Sequence, residues 1–162
     1  MTPRKELFIK IQKALADNIP ELELVDLQRK QFSNPEKGYP TYWTAALISI
    51  SKIDWETMVE NKQEGACTVE ITLYCKDGWL DQHFGTGDAE HGLIEVDLID
   101  KIVENLQFLE GDYFRVLELS DESSGDESDE IMTYTLTFTT NIYRRINPKY
   151  KRVSLTINQP NN

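Results

Sequence analysis

Residues 67–75 read CTVEITLYC, nine positions in strict apolar and polar alternation. Successive side chains of a strand point to opposite faces, so Cys67, Val69, Ile71, Leu73 and Cys75 share one face and Thr68, Glu70, Thr72 and Tyr74 the other. A chain built around this segment must lay one side of a sheet on an apolar layer. The same spacing settles the two cysteines. At about 3.3 Å per residue they lie roughly 26 Å apart, whereas a disulfide needs Cα atoms within about 7 Å. Sharing one zinc ion is excluded on the same ground, and both thiols read as small buried apolar groups.

The chain has 162 residues, 40% of them hydrophobic and 28% charged. That is one domain with a real core, assigned to residues 1–147, followed by a basic extension over 148–162. No apolar run approaches the roughly 20 residues that span a bilayer, and Met1 leads into charged residues without a signal core. The expectation is a soluble protein made in a cytoplasm, with no membrane partner. Net charge is −11, six of it from Asp121, Glu122, Asp126, Glu127, Asp129 and Glu130, so the acidity is local. Duplex DNA and anionic membranes are repelled by such a balance and are not expected ligands of the domain body.

Pro3 can open a helix capped by Thr2 and running to about Asp17, because proline's missing N–H costs nothing at the first position. At about 100° per residue Leu7, Phe8, Ile11, Ala14 and Leu15 fall on one arc; Ile9 falls opposite and reads as a tolerated exposed residue. Leu22 to Leu27 is a short extended segment, and QFSNPEKGYPT is a loop. Residues 42–53, YWTAALISISKI, predict a long strand covered on both faces. Asp54 then suggests a cap for one helical turn carrying Trp55, Met58 and Val59. Trp55 is either a lid on the local core or an anchor for a partner.

The glycine-rich stretch after Lys76-Asp77-Gly78 holds both histidines. Asp81, His83, Asp88, Glu90 and His91 are suitable ligand types for a divalent metal, but their spacing matches no HExxH-like pattern. Asp88 and Glu90 are explained by the dipole of the helix that follows. That helix is expected over Ala89 to Glu110, with Val96, Leu98, Ile99, Ile102, Val103, Leu106 and Leu109 on an arc of about 160°. Gly111 is placed to close it in the left-handed conformation.

Tyr113 to Ser120 predicts a third strand, and Ile131 to Arg145 a fourth that alternates Met132, Tyr134, Leu136, Phe138 and Ile142 with Thr133, Thr135, Thr137, Thr139 and Asn141. The intervening DESSGDESDE makes the hairpin's tip acidic. It lacks the ligand pattern of a calcium loop, so a solvated flexible tip is expected. Charge then reverses: Arg144, Arg145, Lys149, Lys151 and Arg152 stand among Tyr143 and Tyr150, and Val153, Leu155 and Ile157 alternate as a short strand. Those cations suit nucleic acid or the acidic hairpin of a neighbouring copy. The strand suits a neighbour's sheet edge. The fold expected is α+β, a mainly antiparallel sheet of four to five strands with two amphipathic helices on one face.

This order of elements, with Tyr39-Pro40 before the strand YWTAALISI, an Asp-Trp turn, CTVEITLYCKDG, the helix LIEVDLIDKIVENL and a closing hairpin, resembles the tail terminator or tail completion proteins of tailed bacteriophages and prophages. The resemblance covers nearly the whole chain. It implies a structural, non-enzymatic virion protein without cofactor, forming a ring, commonly of six copies. Such a ring caps the head-proximal end of the tail tube, joins it to neck proteins, and lets genome DNA pass. Ring closure needs unlike patches on one subunit. The expected interface residues are Trp55 and Met58, the six acids of 121–130, and the five cations of 144–152. The alternatives are another neck protein of the same fold, a monomeric adaptor docking through Trp55 and Met58, and a small metal enzyme using His83, Asp88 and His91.

Overall fold

The computed structural model describes residues 1–33, 44–59, 61–75, 83–85, 87–125, 132–147 and 149. The elements follow as α1 (Pro3–Asn18), β1 (Leu24–Leu27), β2 (Ala45–Val59), β3 (Lys62–Cys75), α2 (Ile94–Leu106), β4 (Glu118–Ser124) and β5 (Met132–Arg145). The five strands form one sheet in the order β1-β2-β3-β5-β4. Three neighbouring pairs are antiparallel, and β1 runs parallel to β2. The architecture is therefore α+β with a mixed sheet.

Strand β3 lies at the centre, and its alternation is the one the sequence predicts: Cys67, Val69, Ile71, Leu73 and Cys75 are buried while Thr68, Glu70, Thr72 and Tyr74 are half-buried. Register carries the buried row across the sheet, pairing Ile71 with Ile48 on one side and Leu136 on the other, and Val69 with Ile50 and Phe138. One apolar cluster joins these residues to Leu7, Ile11 and Leu15 of α1 and Leu98, Ile102 and Leu106 of α2. A second, small cluster of Phe32, Ala45 and Leu47 sits at the other side of β2, with Phe32 stacked 4.4 Å from Tyr74. This accounts for burial of both faces at the start of β2.

Helix α1 begins at Pro3 as expected, but the Thr2 hydroxyl makes no capping hydrogen bond; the Thr2 carbonyl accepts the Glu6 N–H instead. Ile9 is 37% exposed. Helix α2 is shorter than the sequence suggests at both ends. Before it, residues 89–92 form turns, with Gly92 at φ 73 and the Asp88 carboxylate accepting the Glu90 N–H. The acids in its first turn are Glu95 and Asp97, not Asp88 and Glu90.

At its C-terminal end competing hydrogen bonds unwind the helix. The Phe108 N–H donates to the Leu117 carbonyl and the Leu117 N–H to the Leu109 carbonyl, with Phe108 itself at φ 66. The left-handed position is thus Phe108 and not Gly111. Gly111 is needed for space, since a Cβ there would lie 2.2 Å from the Phe114 ring.

The strand expected from Tyr113 begins later. Phe114 and Arg115 form no regular ladder with β5: they meet it through one isolated bridge, the Arg115 N–H bond to the Asn141 carbonyl and the Thr140 hydroxyl bond to the Arg115 carbonyl, and Phe114 and Leu117 turn into the core. Strand β4 proper takes in Asp121 to Ser124, so part of the expected acidic tip is regular strand. Its remainder, and the expected strand at Val153, Leu155 and Ile157, lie outside the described residues.

Candidate functional site

The helical turn expected after Asp54 is instead strand. Trp55, Met58 and Val59 belong to β2, which pairs with β3 as far as Val59 opposite Lys62. Spacings of three and four do occur in the sequence there, but the partner strand decides the conformation. Trp55 sits opposite Gly65, where a Cβ would come 2.7 Å from Ile53 Cγ2 and 2.9 Å from the indole. The glycine leaves a hole that the indole fills. The Arg144 guanidinium lies 3.8 Å from the Trp55 ring centroid, and the Arg4 guanidinium 5.9 Å from it. Arg144 Nε also donates to the Gln63 side-chain oxygen at 2.8 Å. Trp55 therefore packs on the edge of the core while forming cation–π contacts with two arginines, a combination worth about 0.5–2 kcal/mol per contact.

Beyond Trp55 the ribbon of β2 and β3 leaves the core. Met58 is 57% exposed and Val59 63%. Ile146, 48% exposed, joins them at this end, because its N–H donates to the Asn61 carbonyl in the β2–β3 turn. The sequence drew attention to Met58 but not to the apolar group it forms with Val59 and Ile146, which needs β5 beside β3.

Away from the Phe32 cluster, the sheet face opposite the main core is polar. Across it run the rows Lys52, Thr68, Thr139, Glu118 and Ser49, Glu70, Thr137, Asp121. A shallow trough of about 370 Å³ crosses this face where the chain carries Ala66, between Lys52 and Asp54 on one side and Arg115 and Glu118 on the other. Lys52 and Asp54 form an exposed ion pair at 2.7 Å. Glu64 Oε1 accepts from Asn141 Nδ2 at 2.9 Å and from the Tyr143 hydroxyl at 2.7 Å. Partial burial, then the Glu64 contact, push the Tyr143 phenol above its usual pKa. Under the trough the Cys67 thiol is pushed up to about 11 by burial, against a smaller opposing effect from Arg4, so it stays protonated and is a poor nucleophile.

The acids and cations predicted to form an interface are placed far apart within one copy. Asp121 and Glu122 are exposed on β4, the outer strand, opposite Thr137 and Leu136 of β5. Arg144 and Arg145 are at the far end of β5, seven and eight residues beyond Thr137, roughly 23–26 Å along the strand. Arg145 and Lys149 are exposed, whereas Arg144 is held on Trp55. Asp126, Glu127, Asp129, Glu130, Lys151 and Arg152 lie outside the described residues.

His83 Nδ1 lies 2.8 Å from the His91 carbonyl oxygen. Asp81 is outside the described residues, and among those described no three of His, Cys, Asp and Glu gather in a metal-binding group. Glu6 carries a charge and is absent from the apolar arc of α1, yet it is only 4% exposed and accepts from the Asp112 N–H at 3.0 Å and the Tyr113 N–H at 2.8 Å. Nothing local to residue 6 signals this; the donors come from a loop more than 100 residues away.

No protein-family model matches the chain, and no curated protein matches it.

Proposed function

We propose that the chain is a structural subunit of a phage-type virion, a tail terminator that closes into a ring at the head-proximal end of a tail tube. The observation that carries this reading is the separation of unlike surfaces on one domain: an acidic outer strand at one end of β5, and at the other exposed cations beside the apolar group Met58, Val59 and Ile146. Surfaces too far apart to meet within a copy suit the head-to-tail contact that a ring requires. Both helices lie on one side of the sheet in this reading. That leaves the polar face, with Glu70, Glu118 and Asp121 on it, free to line a channel in which like charge keeps passing DNA from sticking. The subunit itself does no chemistry, and its partners are further copies, the tube and the neck.

The test is mass in solution by light scattering, over a range of concentration and salt and with purified tail tube added. A closed oligomer that loosens with salt, or capping of tube ends by a monomer, is the expected result. A monomer under every condition that leaves tube ends bare removes the proposal.

A further inference from the structure

We infer that the acidic outer strand β4 of one copy is the acceptor for the basic C-terminal segment of the next, which adds to it as an antiparallel sixth strand. This deepens the ring reading and rests on it. Three observations lead there. First, among the described residues β4 pairs on one side only, with β5, and six of its seven residues are exposed. The Gly125 N–H bond to the Thr133 carbonyl fixes the alternation, so Ser124 and Glu122 direct their backbone groups outward. An edge of this kind is a template for another strand.

Second, the charges select the partner. Glu118, Asp121 and Glu122 on β4 repel the same edge of another copy, and the one-residue bulge at Ser120 further spoils such pairing. Residues 149–157, KYKRVSLTI, carry Lys149, Lys151 and Arg152 ahead of the alternating Val153, Leu155 and Ile157. The same acids that exclude a like edge favour this one. Laid antiparallel, Lys151 and Arg152 come to the Asp121 to Ser124 end, and the three apolar residues come toward Leu119, which packs on the main core.

Third, the chain is too short to do this to itself. Antiparallel entry begins at the Ser124 end of β4, level with Tyr134. That is eleven residues, roughly 36 Å, back along β5 from Arg145. Residues 146–152 span at most about 25 Å. The donor must belong to another copy.

Mixing two full-length variants tests this, one with Glu122→Cys and the other with a single cysteine at a position from 153 to 157. The native thiols of Cys67 and Cys75 are buried. Strand addition brings paired Cα atoms within disulfide reach, about 5.5 Å. Under mild oxidation a cross-linked dimer is expected in the mixture, at one or two of the five positions, absent from either variant alone and lost when Lys151→Glu and Arg152→Glu are added. A closed oligomer by light scattering without a cross-link at any position overturns the strand and leaves the ring. Cross-linking within a single chain carrying both cysteines, with none between chains, overturns exchange in favour of a parallel strand at home. Monomers with no cross-link, with or without tail tube, overturn both readings.

Discussion

The two faces of the central sheet are made by the same strands with the same alternation, yet they do opposite work. On one, Val69, Ile71, Leu136 and Phe138 are fully buried against residues of both helices. On the other, neighbours one residue away, Glu70, Thr72, Thr135 and Thr137, form half-buried polar rows. The difference shows that β-structure alone fixes neither stability nor binding here. What matters is which residue of each pair joins the main apolar cluster, and a register slip by one residue would exchange the two sets.

The sharpest way to break the contrast is Phe138→Ala, which removes the largest fully buried side chain at the middle of the sheet. A loss of about 3–5 kcal/mol is expected in denaturant unfolding. Glu6→Ala comes next, with a loss of about 3 kcal/mol, because two N–H groups at Asp112 and Tyr113 lose charge-assisted bonds in a partly buried site.

Cys67 gives a pH-dependent version of the same comparison. Its folded pKa, about 11, is above the ordinary 9.0 of a thiol, so the folded protein binds this proton more tightly. Its contribution is complete below pH 9 and is lost as pH rises toward 11. Across that window it amounts to roughly 2 kcal/mol. Wild-type stability should fall more steeply there than that of Cys67→Ala, and an equal slope in both would refute the assignment. On the polar face Thr137→Ala should change stability by no more than about 0.5 kcal/mol. A large loss would mean that Thr137 is more than half-buried.

Much of the fold was legible because its signals are periodic and local. The alternations of β3 and β5, the arc of α1 and the middle of α2 each follow from which face is apolar. What was not legible depends on partners distant in the chain. Residues 107–110 continue an apolar helical pattern, and only Leu117 and Leu119, which bond to Phe108, Leu109 and Gln107, end the helix early. Phe108 at positive φ has no sequence signature, since that conformation favours glycine and asparagine. The Asp-Trp turn was misread because Trp55, Met58 and Val59 satisfy a helical spacing as well as a strand, and pairing with β3 decides between them.

The candidate surface was half legible. Charge runs and Trp55 drew attention to their segments but not to their tertiary setting, and Arg144 was grouped with the exposed cations. Its place on Trp55 and Gln63 makes it a poor probe of assembly, because Arg144→Glu would loosen the ribbon itself. Arg145 and Lys149, both exposed, are the better positions for charge reversal.

The central strand acquires its two neighbours at very different times. Only two residues, 60 and 61, separate strand β2 from β3, so that hairpin can close as soon as both have emerged from the ribosome. The other edge of β3 waits for β5, whose partners are 57 residues away at Cys75 and Met132 and 83 at Lys62 and Arg145. Closing loops of that size is slow relative to forming the hairpin. Until synthesis passes Met132, β3 offers fourteen residues of unpaired backbone with Val69, Ile71 and Leu73 on one side. A nascent or prematurely terminated chain is in this respect a different substance from the finished one, sticky where the mature subunit is sealed.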